Sequence, residues 1–322
     1  MTVASVGVER WTDRTAYARF LGTSPGRSVF LLPAFLDALD RPWEFWAAAG
    51  HSGPSAGAVI FRDADGRPAR APLPFTMYQG LLLPSDEGRP GHRTVPEHLD
   101  AVAALLEGLS GEARLSWCLH PSFADVRALS WFHYDTPAAG QFRIDVRYTG
   151  LIPLDAATGF DGVLAGVRPV RRQEFRKASA RFTLEASTDL ELFDRLHAAT
   201  FARQAIERPP REQSLLASIA AAALAHGFGE LLVARDGDGT AAGAVLFLFD
   251  DRQGYYLVAA NDPAYRTTGV STWLFLSGVR RAAERRLGAV DVVGMNSPAR
   301  GDFKTSFGAV PVPYYVATWE RP

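Results

Sequence analysis

This 322-residue chain has one cysteine, two lysines and no long apolar run, and each scarcity closes off a class of protein. A lone thiol, Cys118, cannot form an intramolecular disulfide or supply a cysteine-rich zinc site. It falls in an apolar strand, where it reads as a small buried hydrophobe rather than a nucleophile. Histidines stand at 51, 92, 98, 120, 133, 197 and 226 with no H-x-H or H-x-x-x-H pair, so no metal site is expected. Neither a G-x-S-x-G elbow nor a Walker loop is present. The most apolar tract, Leu215 to Ala225, ends at His226, well short of the roughly 20 residues that span a bilayer. At the N-terminus, acidic and basic residues come before any apolar stretch. No signal peptide, no membrane span and a cytoplasmic location are therefore expected. A net charge of −1 argues against a large nucleic-acid surface, although local arginine clusters suffice for a small one. Of the 34 basic residues only Lys177 and Lys304 are lysines. Arginine-rich codon use accounts for the imbalance, and it makes each lysine a position where arginine was not used.

What is present is ordinary for a globular protein: 47% hydrophobic and 21% charged residues, with glycine and proline scattered without a period. The length suits two domains, placed at 1–150 and 151–322. In the first half, helices are expected at 13–22, 33–40 and 95–109. Strands are expected at 43–48 and 56–61 around the turn HSGPS, in PFTMYQGLLL, and at 115–119 and 142–148. The second half reads as a basic helical stretch over 160–180, helices at 189–203 and 214–226, and three strands at 230–234, 241–249 and 254–260. The short turns between those strands favour an antiparallel meander. A long helix over 269–287, a strand at 290–293, a short helix near 300–306 and a final strand at 313–318 follow. LSWCLHPSFADVRALSWF and VDVVGMNSPARGDFKTSF share one rhythm of strand, turn, short helix and aromatic, as if the halves were diverged copies. The fold class is α+β, each half a mixed, mainly antiparallel sheet flanked by helices.

Two segments carry chemistry. Arg266-x-x-Gly269-x-Ser271 follows a strand and opens the long helix, where free N–H groups and a glycine suit an anion. It resembles the pyrophosphate loop of GNAT acyltransferases, [RQ]-x-x-G-x-[GA], but ends in Ser271, which would crowd a coenzyme A diphosphate. Gly294-Met-Asn-Ser-Pro-Ala-Arg-Gly-Asp-Phe303-Lys304-Thr-Ser-Phe307-Gly308 resembles the G-x-N-S-P…F-K-x-x-F-G ending of the Fem-type, peptidoglycan-bridge branch of the same superfamily. SVFLLPAFLDAL, LPFTMYQGLLLP, Arg172-x-x-Phe175-Arg176-Lys177-Ala178 and Tyr255-Tyr256-Leu are similar to family segments too, so the resemblance runs from about residue 28 to the end. It implies tandem GNAT-like domains and, in some members, transfer of an amino acid from aminoacyl-tRNA onto an amine.

Acyl transfer to an amine passes through a tetrahedral oxyanion, and one positioned ammonium there is worth a few kcal/mol. The resemblance gives this part to Lys304, with Phe303 packed against the donor, Asn296 holding the loop, and Tyr256, Arg266, Gly269 and Ser271 completing the donor site. Asp302 is the nearest carboxylate in sequence and serves equally as a base or a cap. Arg172 and Arg176, four apart on one helical face, suit an anionic group of the acceptor. Tyr78 and Gln79 are expected to line the same cleft between the domains. A second cluster, Arg280, Arg281, Arg285 and Arg286, opposes a helix dipole and reads as mainly structural. Three readings stay open. One is an aminoacyltransferase with no bound cofactor, using aminoacyl-tRNA as co-substrate and a small-molecule amine or cell-wall precursor as acceptor. The others are an acyl-CoA-dependent N-acyltransferase and a silent GNAT-like binding module.

Overall fold

The computed structural model describes residues 7–50 and 53–322. The N-terminal reading thus falls partly, and the His51-Ser52 turn wholly, outside the described residues. Two compact units form: the chain up to Arg147 together with Pro313–Pro322, and Tyr148–Val312. The last residues, expected in the C-terminal domain, belong instead to the first unit.

The first unit contains β1 (Val8–Trp11), α1 (Arg14–Thr23), α2 (Pro33–Asp37), β2 (Trp43–Ala49), β3 (Pro54–Phe61), β4 (Leu81–Leu82), α3 (Gly91–Gly108), β5 (Arg114–Cys118) and α4 (Arg127–Trp131). β1 to β4 form an antiparallel sheet in sequence order. The core packs α3 (Val102, Leu105, Leu106) and α4 (Leu129) against Trp117 of β5. The expected strand PFTMYQGLLL shrinks to Leu81–Leu82. Phe75 (φ 57°) and Tyr78 (φ 53°) take left-handed backbone, which an extended strand cannot contain.

β6 (Arg143–Pro153) leads into the second unit. There follow α5 (Gly159–Gly166), α6 (Pro169–Ser179), β7 (Thr183–Ser187), α7 (Leu190–Arg203), α8 (Pro210–Ala225), β8 (Gly229–Arg235), β9 (Ala241–Phe249), β10 (Gln253–Asn261), α9 (Val270–Glu284), β11 (Ala289–Asp291), α10 (Pro298–Thr305) and β12 (Val310–Glu320). The end of β12 pairs antiparallel with β5, Val316 opposite Cys118 and Trp319 opposite Leu115, which is why the C-terminus joins the first unit. The single helix expected over 160–180 is two, because Pro169 lacks an N–H and holds Arg168 extended (ψ 137°).

Strand order in the second unit is β6-β11-β10-β9-β8-β7. The β8–β10 meander is antiparallel as expected, whereas β10 and β11 run parallel. That parallel pairing covers only Gln253–Tyr255 against Ala289–Asp291. β10 then bulges between Tyr256 and Val258 and continues to Asn261 with β9 as its strand partner. β11 has already ended, so the two parallel strands part at Tyr256. α9 lies buried against this sheet, with Val270, Leu274, Phe275 and Val279 in the core.

Candidate active site

The point of parting is where the chemistry-bearing side chains gather. β11 is apolar except for Asp291, which is 1% exposed and accepts from Thr149 Oγ1 (2.5 Å) and the Val293 N–H (2.7 Å). Val293 (φ 54°) and Gly294 (φ 81°) are both left-handed, so the chain turns sharply and presents two carbonyls inward. Lys304, on α10, donates to both: Nζ lies 3.0 Å from Val293 O and 2.7 Å from Gly294 O. Its ammonium is 5.7 Å from the Tyr256 ring centroid. Lys304 is only 8% exposed, so it is not a solvated surface lysine. Burial pulls its pKa down to about 8, Asp291 opposes that fall, and Arg300 adds to it. At neutral pH the ammonium form still predominates. Two of its three hydrogens are committed to carbonyls, and one is left for a reacting oxygen.

Phe303 packs edge-on to Phe307 (4.9 Å) and Phe275 (6.4 Å). Phe275 also meets Tyr256 at 4.8 Å, so the aromatic wall joins α9, α10 and β10. Burial raises the Tyr256 phenol pKa, keeping it neutral. Asn296 acts on the loop: its Oδ1 accepts from Tyr148 N (2.8 Å) and its Nδ2 donates to Tyr148 O (3.1 Å). Asp302 is exposed and paired with Arg168 at 3.0 Å, which lowers its pKa and spends it on holding α10 to the start of α6.

At the start of α9, Gly269 (φ 81°) is the N-cap. A Cβ there would lie 3.1 Å from both Cβ and O of Glu174, so glycine is required twice over. Ser271 Oγ accepts from Asn261 Nδ2 (2.8 Å), Thr272 Oγ1 donates to Glu174 Oε2 (2.6 Å), and Arg266 is exposed.

The expected acceptor residues fall in both units. Arg172 donates to the terminal carbonyls of α5, Leu164 O (3.4 Å) and Ala165 O (3.1 Å), while Arg176 is exposed. Tyr78 and Gln79 are buried within the first unit, 1% and 3% exposed. The Tyr78 ring sits edge-on to Phe30 and Tyr314, and the Gln79 amide finds no partner among the described residues. Of the arginines around the end of α9, Arg281 and Arg285 share Glu230, and Arg280 covers Phe160. Sequence reasoning passed over Asp291, Asn261, Glu174 and Arg171. Of these only Asp291 carried a signal, a carboxylate inside an apolar strand. Among the described residues no cluster of His, Cys, Asp or Glu could hold a metal ion, and no helix is long and apolar enough to cross a membrane.

Residues 165–305 match the acetyltransferase (GNAT) domain family. That match lies within the second unit, which has the GNAT fold. Similarity to solved structures extends over nearly the whole chain. FemX superposes with a TM-score of 0.70 at 14% identity, covering 96% of each chain. A tandem GNAT protein from the clavulanic acid biosynthesis pathway gives 0.53 at 13% identity, covering 98% of each. A conserved protein of unknown function from Bacteroides thetaiotaomicron gives 0.56 at 9% identity, covering 98% of this chain and 100% of that one. At these identities the likeness is one of fold, shared with FemX and with a tandem GNAT protein. No curated protein sequence gives a significant match.

Proposed function

We propose that the protein forms an amide by transferring an aminoacyl group from aminoacyl-tRNA to an amine acceptor, a small molecule or a cell-wall precursor. The observation that carries this reading is the buried Lys304 ammonium, fixed by Val293 O and Gly294 O with one hydrogen unspent. The acceptor nitrogen attacks the ester carbonyl, and the developing oxyanion accepts a hydrogen bond from that N–H, which stays on the ammonium. The C–N bond forms, and the C–O bond to the terminal ribose breaks. The proton shed by nitrogen ends on the departing ribose oxygen, with the vicinal hydroxyl as relay. No covalent enzyme intermediate is needed, and Cys118, fully buried, takes no part.

Two features of the α9 start support an aminoacyl ester over an acyl-CoA. The Ser271 side chain fills the third motif position and is tied to Asn261. The Glu174 carboxylate already sits against the first turn, bonded to Thr272, where a diphosphate would bring further negative charge. The acyl-CoA reading keeps one favourable observation: the β10 backbone beyond Tyr256 is left without β11 as a neighbour, and an extended amide arm fits such an edge.

The test offers labelled aminoacyl-tRNAs and labelled acyl-CoAs separately, each with an amine library, to the native protein and to Lys304→Ala. Consumption of aminoacyl-tRNA that Lys304→Ala abolishes supports the proposal. Consumption of acyl-CoA alone replaces the donor, and consumption of neither leaves the binding-module reading.

A further inference from the structure

Arg171 lies beside the two arginines singled out in the sequence, and its contacts are of a different kind. Its Nε donates to Ser306 Oγ (3.1 Å), just past the end of α10, and its Nη1 donates to Glu174 Oε2 (2.8 Å) on its own helix. The guanidinium lies over the rings of Phe303 and Phe307, 5.0 and 5.9 Å from their centroids. Ser306 in turn donates to Phe303 O (2.5 Å), and its carbonyl accepts from Arg168 N (2.8 Å). The same Glu174 oxygen that takes Arg171 also takes Thr272 Oγ1 in the first turn of α9. A continuous chain therefore runs Thr272–Glu174–Arg171–Ser306/Phe303, ending one residue from Lys304.

Resting on the proposed role of Lys304, we propose that Arg171 is a positioning residue that locks α10 to the donor-loop end of α9 and thereby fixes the Lys304 ammonium at the point where β10 and β11 part. Three properties make arginine the fitting residue. Its planar fork reaches a hydroxyl and a carboxylate at once, and its face stacks on two aromatic rings. Its bonds to Ser306 and Glu174 and the stack are sheltered, the Arg171 side chain being 22% exposed. A lysine could keep the charge but not the geometry. Catalytic groups tolerate little misplacement, and a shift of about 1 Å can cost roughly 100-fold in rate.

The chain's two lysines make the test direct. Full-length protein labelled with [ε-13C]lysine gives two resonances, and Lys177→Arg assigns them. Lys304 is expected to titrate near 8 in the parent protein. In Arg171→Gln it should move up by about one unit or more toward the ordinary lysine value near ~10.4, as α10 loosens and water reaches the ammonium. Ser306→Ala and Thr272→Val cut single links and should move it the same way by less. With aminoacyl-tRNA, Arg171→Gln should lower kcat about 10- to 100-fold with KM little changed. Should Arg171→Gln not fold, the two single-link variants carry the same reading. A Lys304 titration unchanged in every variant that melts like the parent overturns the proposal. A shifted titration combined with full transfer activity in Lys304→Ala would instead overturn the proposed function and leave the Arg171 link standing.

Discussion

In the first unit β5 runs through a His-Pro turn into the short helix α4, and in the second β11 runs through an Asn-Ser-Pro turn into α10. Laid residue on residue, Leu115–Phe132 and Val290–Phe307 put Ser116 opposite Asp291, Leu129 opposite Lys304 and Phe132 opposite Phe307. The frames are used alike. Ser116 bonds Thr318 (3.2 Å) on the neighbouring antiparallel strand β12, and Asp291 bonds Thr149 on the neighbouring antiparallel strand β6. Both aromatics are buried. The helix position differs in kind: Leu129 is completely buried apolar core, and Lys304 is a buried cation tied to two carbonyls. A charge taken out of water costs stability that leucine does not. Where one frame is satisfied by leucine, a buried lysine in the other fits the part proposed for its ammonium. The second unit alone, among the described pairings, also has the parallel strands that part beside that ammonium.

The comparison breaks most sharply in the first unit. Leu129→Lys places an ammonium in the apolar core around Trp117 and Phe132, and should cost about 3–5 kcal/mol, the scale of an uncompensated buried charge. Urea unfolding measures it; a near-neutral result would mean that the two helix positions are interchangeable and the difference between them is drift.

The reciprocal change, Lys304→Leu, should cost chemistry instead. We expect kcat for transfer to fall roughly 10²–10³-fold, the range for losing one oxyanion donor. Stability should stay within about 1 kcal/mol, because relief of desolvation offsets two lost hydrogen bonds. Lys304→Arg should rescue poorly, since a planar guanidinium cannot meet Val293 O and Gly294 O as a compact ammonium does. A Lys304→Leu protein that keeps most of its kcat would return Lys304 to a structural role.

A pH series sharpens the same contrast. With a folded pKa of about 8 against an ordinary 10.5, Lys304 sheds its proton earlier in the folded chain than in the unfolded one. Between those values the unfolded state binds more protons, so this group makes stability rise with pH, and the contribution is lost as pH falls through 8. The proposed oxyanion stabilisation runs the other way and should fade above about pH 8. Denaturation and transfer rates measured from pH 7 to 10 should therefore diverge in the parent protein. In Lys304→Leu this component of the stability slope should vanish; an identical slope in both would mean that the lysine titrates alike folded and unfolded.

What the sequence disclosed about this site followed from how local each signal was. Lys304, Phe303 and Asn296 stand in one contiguous pattern, and the Gly269 helix start is marked by a residue whose left-handed backbone is cheap only for glycine. The Pro169 break was masked by basic and apolar residues that continue the helical rhythm through Val167 and Arg168. Phe75 and Tyr78 read as strand formers, and nothing local predicts their positive φ. Arg171 was passed over for Arg172 and Arg176 because i,i+4 spacing is visible in a sequence, whereas a partner 135 residues away at Ser306 is not.

Those two arginines provide the smallest and finest test. Arg172 spends its guanidinium on the last carbonyls of α5, groups that a helix C-terminus leaves without partners. Arg172→Ala should therefore lose about 0.5–1 kcal/mol of stability. Arg176 is exposed on the same helix, and Arg176→Ala should stay within about 0.5 kcal/mol of the parent. Acceptor kinetics should reverse the ranking. An exposed guanidinium contributes binding that is shared by the ground and transition states, so its loss raises KM and spares kcat. We expect Arg176→Ala to raise acceptor KM several-fold and Arg172→Ala to raise it less, because its fork is already occupied. If neither KM moves, the basic face of α6 is only solvated, and the acceptor's anionic group is read by residues elsewhere in the protein.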